Sequence, residues 1–240
     1  MAANIHILTS NTQWELSIVE ELVRLINTSI NQQGRCSISL AGGSTPKSVY
    51  ALLALPTFSD KIDWSKVYLF WGDERSVPHS HSDSNYKMVK ESLIDHIDIP
   101  AENVLALIEP DQPQSSALAY EETIKGYFKS QDIAIDIMLL GMGDDGHTAS
   151  LFPGTEILEE KKRLVKEVYL PNLDVYRISL TAPMINASKN ILFLVKGENK
   201  APALREVLSG TDNYQTYPSQ LIKKDESVHF YLDEAAAKFL

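Results

Sequence analysis

Asp145 and His147 stand two residues apart inside Gly141-Met-Gly-Asp-Asp-Gly-His-Thr148. A carboxylate at that spacing is able to hold an imidazole in one tautomer while the other ring nitrogen takes a proton from water. An imidazole of ordinary pKa, about 6.5, suits general-base work near neutrality. A lone histidine is more often structural, but one enclosed by glycines after an apolar strand is less readily explained that way. Gly141, Gly143 and Gly146 also satisfy G-x-G-x-x-G formally. A dinucleotide fingerprint should open the first βαβ unit, whereas this one falls past mid-chain with Asp144 and Asp145 where a pyrophosphate would lie.

Gly42-Gly43-Ser44-Thr45 lies between an apolar run and a helical pattern. Glycines expose backbone N–H groups, and a helix start adds unpaired donors and partial positive charge. The segment reads equally as an anion cradle or as a tight turn with a helix cap. It lacks the spacing of a nucleotide-triphosphate loop. Gly72-Asp-Glu-Arg75 follows another apolar run, and there Arg75 is the natural anion binder, with Asp73 or Glu74 to orient it. Arg177 and Lys200 complete the set of basic candidates. Each stands beside an expected strand or helix and either meets a phosphate or is simply solvated.

Other chemistries find less support. No G-x-S-x-G elbow is present. Cys36, the only cysteine, lies inside an apolar run and reads as a core residue. His79 and His81 have no matching carboxylate or thiol set for zinc and read as surface-loop residues. Attack by water fits this inventory better than a covalent intermediate.

Elements that could carry these loops alternate along the chain. Strands are expected at Asn4–Leu8, Cys36–Leu40, Val67–Trp71, Val104–Ile108, Ile135–Leu140, Leu164–Val168, Tyr176–Leu180, Ile191–Val195 and Val228–Leu232. Capping-box spacing at Thr12–Glu15 opens a helix that ends near Gly34. Further helices are expected with Pro46 in the first turn, over Ser84–His96 and Ser115–Lys129, and at Pro183–Ala187, Lys200–Leu208 and Asp233–Phe239. Glu109–Gln114 reads as a loop. Several strands are apolar without two-residue alternation, the mark of burial on both faces of a parallel sheet. The fold class is therefore α/β: an open, mostly parallel sheet flanked by helices, in one domain over residues 1–240.

With 22 Lys+Arg against 32 Asp+Glu, the formal charge is 22 − 32 = −10. That balance argues against nucleic-acid or anionic-membrane partners, which need a basic surface. The one thiol and the lack of a signal-peptide pattern or a long apolar span point to the cytoplasm. A monomer or weak homodimer is expected.

Leu-Ala-Gly-Gly-Ser-Thr-Pro, Gly-Asp-Glu-Arg, Gly-Met-Gly-Asp-Asp-Gly-His-Thr-Ala-Ser-Leu-Phe-Pro and Leu-Val-Lys-Gly-Glu-Asn-Lys-Ala follow one another between Ser39 and about Lys200. In this the chain resembles the 6-phosphogluconolactonases of the glucosamine/galactosamine-6-phosphate isomerase superfamily. The resemblance implies a Rossmann-like sheet and hydrolysis of 6-phospho-D-glucono-1,5-lactone in the oxidative pentose phosphate pathway. By motif, His147 matches the general base and Asp145 its orienting carboxylate. Gly43, Ser44, Thr45, Arg177 and Lys200 match phosphate-binding groups, while Asp73 and Arg75 match the substrate side. No metal or organic cofactor is implied. Asp144 departs from the pattern, since related lactonases often carry proline there. The alternative is an amino-sugar-6-phosphate isomerase/deaminase, in which the residue matching Asp73 moves the proton. That chemistry needs a further carboxylate after the histidine loop, where this chain has Leu151-Phe-Pro-Gly154.

Overall fold

In the computed structural model, which describes residues 3–107, 112–129 and 132–240, strands and helices alternate. Asn4–Leu8 forms β1, Asn11–Gln33 α1, Cys36–Leu40 β2, Ser44–Leu53 α2, Pro56–Ser59 the short α3, Val67–Trp71 β3 and Asp73–Arg75 β4. Asn85–Ser92 follows as α4, Pro113–Phe128 as α5, Ile137–Leu140 as β5, Val165–Leu170 as β6 and Val175–Leu180 as β7. Ala182–Asn186 is α6, Asn190–Val195 β8, Ala201–Ser209 α7 and Val228–Asp233 β9.

Six strands make one parallel sheet in the order β1-β9-β8-β5-β2-β3. Every residue of β2 and β5 is buried, which is why those runs show no alternation. At the β1 edge alternation returns, with Ile5 and Ile7 about half exposed. Helix α1 lays Trp14, Ile18, Leu22, Leu25 and Ile26 against the sheet. Trp14 Nε1 donates to the Tyr231 carbonyl at 3.1 Å and ties the helix to β9. The helix starts two residues before the expected box: Ser10, not Thr12, accepts from the Gln13 N–H. It ends on Gly34 at φ 78°.

The strand order fixes where loops converge. From β2 the chain moves outward to β3, then returns to the other side of β2 as β5 and continues to β8 and β9. The crevice at the carboxyl ends of β2 and β5 is therefore the topological switch point, where open α/β sheets bind ligands. The loops that leave those two strands are Ala41–Gly43 and Gly141–His147.

Four expectations need correction. Leu164–Val168 and Tyr176–Leu180 are strands, but not of the parallel sheet: β6 and β7 pair antiparallel, Val165 opposite Leu180, and β7 pairs with β4 in a separate three-stranded sheet. A connection this short reaches only an antiparallel neighbour, since a parallel return needs a crossover. Gly72-Asp-Glu-Arg75, expected as a loop, accordingly contains a strand. Gly72 joins the two sheets: its N–H donates to the Leu40 carbonyl of β2 and its carbonyl accepts from Leu180 of β7. Val104–Ile108 gives only a single bridge from Val104 to Leu69, with the Leu105 N–H on the Leu69 carbonyl. Ile108, like residues 109–111 of the expected loop, lies outside the described residues. In the expected helix Asp233–Phe239, Asp233 ends β9 and residues 234–239 form turns, because the Asp233 carboxylate takes the Ala236 and Gly197 N–H groups. Among the described residues no helix is long and apolar enough to cross a membrane.

Candidate active site

The histidine loop leaves β5 and folds back on itself. The Gly143 N–H donates to the His147 carbonyl at 2.8 Å, and Gly146 turns the chain at φ 76°. Asp145 Oδ1 accepts both the His147 backbone N–H, at 3.0 Å, and Nδ1 of its ring, at 2.5 Å. Burial pushes the Asp145 carboxyl up, but the hydrogen bonds and charge of His147 outweigh it and hold the group below the usual carboxylate range. An ionised carboxylate only accepts, so Nδ1 is the donor, and in the neutral ring Nε2 is the acceptor. The ring stacks on Phe152 with centroids 4.1 Å apart. A Cβ at position 143 would lie 2.1 Å from His147 Nδ1. That glycine makes room for the imidazole, which gives the G-x-G-x-x-G spacing a local cause unrelated to dinucleotides.

Across the crevice, Gly43 is the N-cap of α2 at φ 98°, and no side chain caps the helix. Ser44 and Thr45 occupy its first turn, so a helix start without a side-chain cap stands at the cleft. Arg75 and Arg177 sit directly opposite each other on β4 and β7. Like charges in that arrangement repel. Burial, then the neighbouring Arg75, push the Arg177 guanidinium below its ordinary pKa. Lys200 ends a 3-10 turn after β8, immediately before α7. Among the described residues no carboxylate lies within ion-pair distance of Arg75, Arg177 or Lys200.

Neither acidic neighbour orients Arg75. Its Nη1 donates to the Asp83 backbone carbonyl at 2.5 Å. Glu74 is buried and accepts the N–H groups of Arg75, Asn85 and Tyr86, closing the start of α4. Burial pushes its carboxyl up against those bonds. Asp73 faces the histidine loop instead, where Ser150 Oγ donates to its Oδ2 at 2.6 Å.

These groups line one cleft of about 470 Å³. Gly43, Ser44, Thr45, Asp73, Arg75, His147, Arg177 and Lys200 all contribute to its wall, and Asp145 reaches it through His147. Sequence reasoning missed Asn85, Lys196 and Asn199, which also line it, and it gave no role to Ser150 or Phe152. Lys196 and Asn199 flank Lys200 in a motif already singled out, so proximity was a usable signal; Asn85, on a different element, offered none. His79 and His81 stand apart: His79 stacks on Tyr86 and meets the Leu107 carbonyl, and His81 accepts the Asp83 N–H. Among the described residues no three His, Cys, Asp or Glu side chains gather as a metal site.

Fold and cleft together define an open-sheet α/β protein with cations and a carboxylate–histidine pair at one switch point. The family model for glucosamine-6-phosphate isomerases/6-phosphogluconolactonase matches residues 9–230, and the chain belongs to that family. It is 40% identical over 241 residues to a 6-phosphogluconolactonase of Nostoc sp., with 98% of each chain covered. It is 39% identical over 204 residues to one of Haemophilus influenzae, covering 85% of this chain and 87% of that one. The solved structure of 6-phosphogluconolactonase from Trypanosoma cruzi superposes with a TM-score of 0.87 at 28% identity, covering 100% of this chain and 98% of that one.

Proposed function

We propose that this chain, read as one domain, is a 6-phosphogluconolactonase that hydrolyses 6-phospho-D-glucono-1,5-lactone to 6-phospho-D-gluconate, with His147 as general base. The observation that carries this reading is the Asp145–His147 pair facing the same cleft as Arg75, Arg177, Lys200 and the open start of α2. The lactonase relatives, alike over nearly the whole chain, support the substrate.

The phosphate is held at the cationic side, which orients a small polar ring that has few other handles. Nε2 of His147 takes a proton from water as the water oxygen attacks the C1 carbonyl. Asp145 stabilises the imidazolium that forms. Backbone N–H groups of the glycine loops or a nearby cation stabilise the oxyanion. The bond from C1 to the ring oxygen then breaks, and His147 returns its proton to that oxygen. No step uses a metal or an organic cofactor. The isomerase/deaminase alternative lacks its second acid: Phe152 covers the imidazole face in the segment where that carboxylate would be needed.

The test is the hydrolysis of freshly made lactone, measured above its spontaneous rate, for the native chain and for His147→Ala. A positioned general base contributes about 10²- to 10⁴-fold, so kcat should fall by that order with KM little changed. Unchanged turnover in the variant would remove His147 from the reaction.

A further inference from the structure

Asn85, the first residue of α4, is 2% exposed and its side chain lines the cleft beside Asp73. Its Nδ2 donates to the Asp73 backbone carbonyl at 2.9 Å and reaches Oδ1 of the Asp73 carboxylate at 3.4 Å. The other carboxylate oxygen is the one held by Ser150. Asn85 Oδ1, by contrast, has no partner among the described residues. A buried amide with an orphaned acceptor is a costly way to fill space, and leucine has nearly the same shape without that cost. The position therefore requires the donor half.

The same amide packs against the opposite loop. A Cβ on Gly42 would lie 1.9 Å from Asn85 Oδ1 and 2.2 Å from its Cγ. Gly42 is not among the glycines with positive φ, so this contact, not backbone conformation, excludes a side chain there. One residue thus touches the loop before α2, fixes Asp73, and through Asp73 meets the histidine loop at Ser150.

We infer that Asn85 is a positioning residue: its N–H group aims Asp73, and its bulk seats Gly42 and so sets the distance between the anion loop and the reacting end of the cleft. The assignment rests on the lactonase reading for its kinetics, though not for its geometry.

Two substitutions separate the two halves of the claim. Asn85→Leu keeps the bulk and removes the donor. A misplaced group of this kind costs about tenfold to a hundredfold, and the loss should fall on kcat while KM for the lactone stays nearly constant. Turnover equal to that of the native chain would overturn the donor role. For the seat, Gly42→Ala should weaken binding of inorganic phosphate by at least about tenfold in the native background, because the methyl collides with the amide. In an Asn85→Ala background the same change should cost little, since the space is empty, whereas independent sites would give additive losses. Additivity would overturn the seat. Thermal melts identify any variant that fails to fold, and Asn85→Ser, which also vacates the space, then completes the cycle. If the native chain leaves the lactone at its spontaneous rate, the lactonase reading falls alone. Phosphate titration would still decide the Gly42–Asn85 coupling.

Discussion

At the scale of single residues, the carboxylate–histidine pair is crowded on purpose. Gly143 has no side chain because the imidazole stands where one would be. Gly143→Ala should therefore displace His147 from Asp145 and lower kcat by about a hundredfold, the order expected when a catalytic group moves by about 1 Å. Phosphate affinity, measured by titration, should stay the same. Proportional loss of both would mean that the whole loop had collapsed. The pair itself was legible from spacing, since a carboxylate two residues before a histidine reaches the ring with almost any turn between them. The reason for Gly143 was not, because its formal motif suggests a nucleotide and conceals a steric cause. Arg75 is similar. Its orienting partner is the Asp83 carbonyl, and a backbone group has no residue type to read.

At the scale of elements, β6 and β7 were readable as strands and misplaced as to sheet. Apolar runs report burial, and burial on a small antiparallel sheet looks the same as burial on a parallel one. Entry into β6 is set by Glu160, whose Oε1 accepts the N–H groups of Lys161, Lys162 and Arg163 at 2.9, 2.8 and 3.1 Å. Those bonds, led by the Lys162 and Arg163 N–H groups, hold its carboxyl down to about 2, from an ordinary 4.5. Its folded pKa is depressed, so the native state binds fewer protons than the unfolded one at this site. The stabilisation is complete above about pH 4.5 and is lost as the pH falls toward 2. Glu160→Gln should flatten that part of the stability profile and leave the region above pH 5 parallel to the native curve. Urea melts across the range would show it, and an unchanged acid limb would remove Glu160 as the cause.

For the molecule as a whole, a formal charge of −10 has to coexist with an anionic substrate. Charges farther away than about 8–10 Å are largely screened at physiological salt, so the facing pair Arg75 and Arg177 dominates locally. Their mutual repulsion is relieved when an anion lies between them. Ligand at 100 times its Kd adds about 2.7 kcal/mol, which is about 5–10 °C in Tm for a chain of this size. Phosphate or 6-phosphogluconate should raise the melting temperature by that amount. In Arg177→Met the rise should vanish, while the ligand-free protein melts no lower than the native one. A drop in the ligand-free Tm would show that Arg177 serves the fold instead. The parallel architecture was legible from alternation and apolar runs. Strand order was not: it depends on which side of β2 the later strands return to, a choice made by packing over long separations.

That return has a consequence for biosynthesis. Among the described residues β1 pairs only with β9, and a hydrogen bond from Asn4 to the Glu226 carbonyl spans 222 positions of chain. A ribosome delivers β1 first and β9 last, and β8 also waits for β9 on that side. For most of translation the nascent chain therefore carries an unpaired strand with Ile5 and Ile7 on it, a template for wrong pairing. Newly made chains should depend on chaperones until the last strand emerges, even though the two strands that flank the switch point, β2 and β5, were synthesised long before.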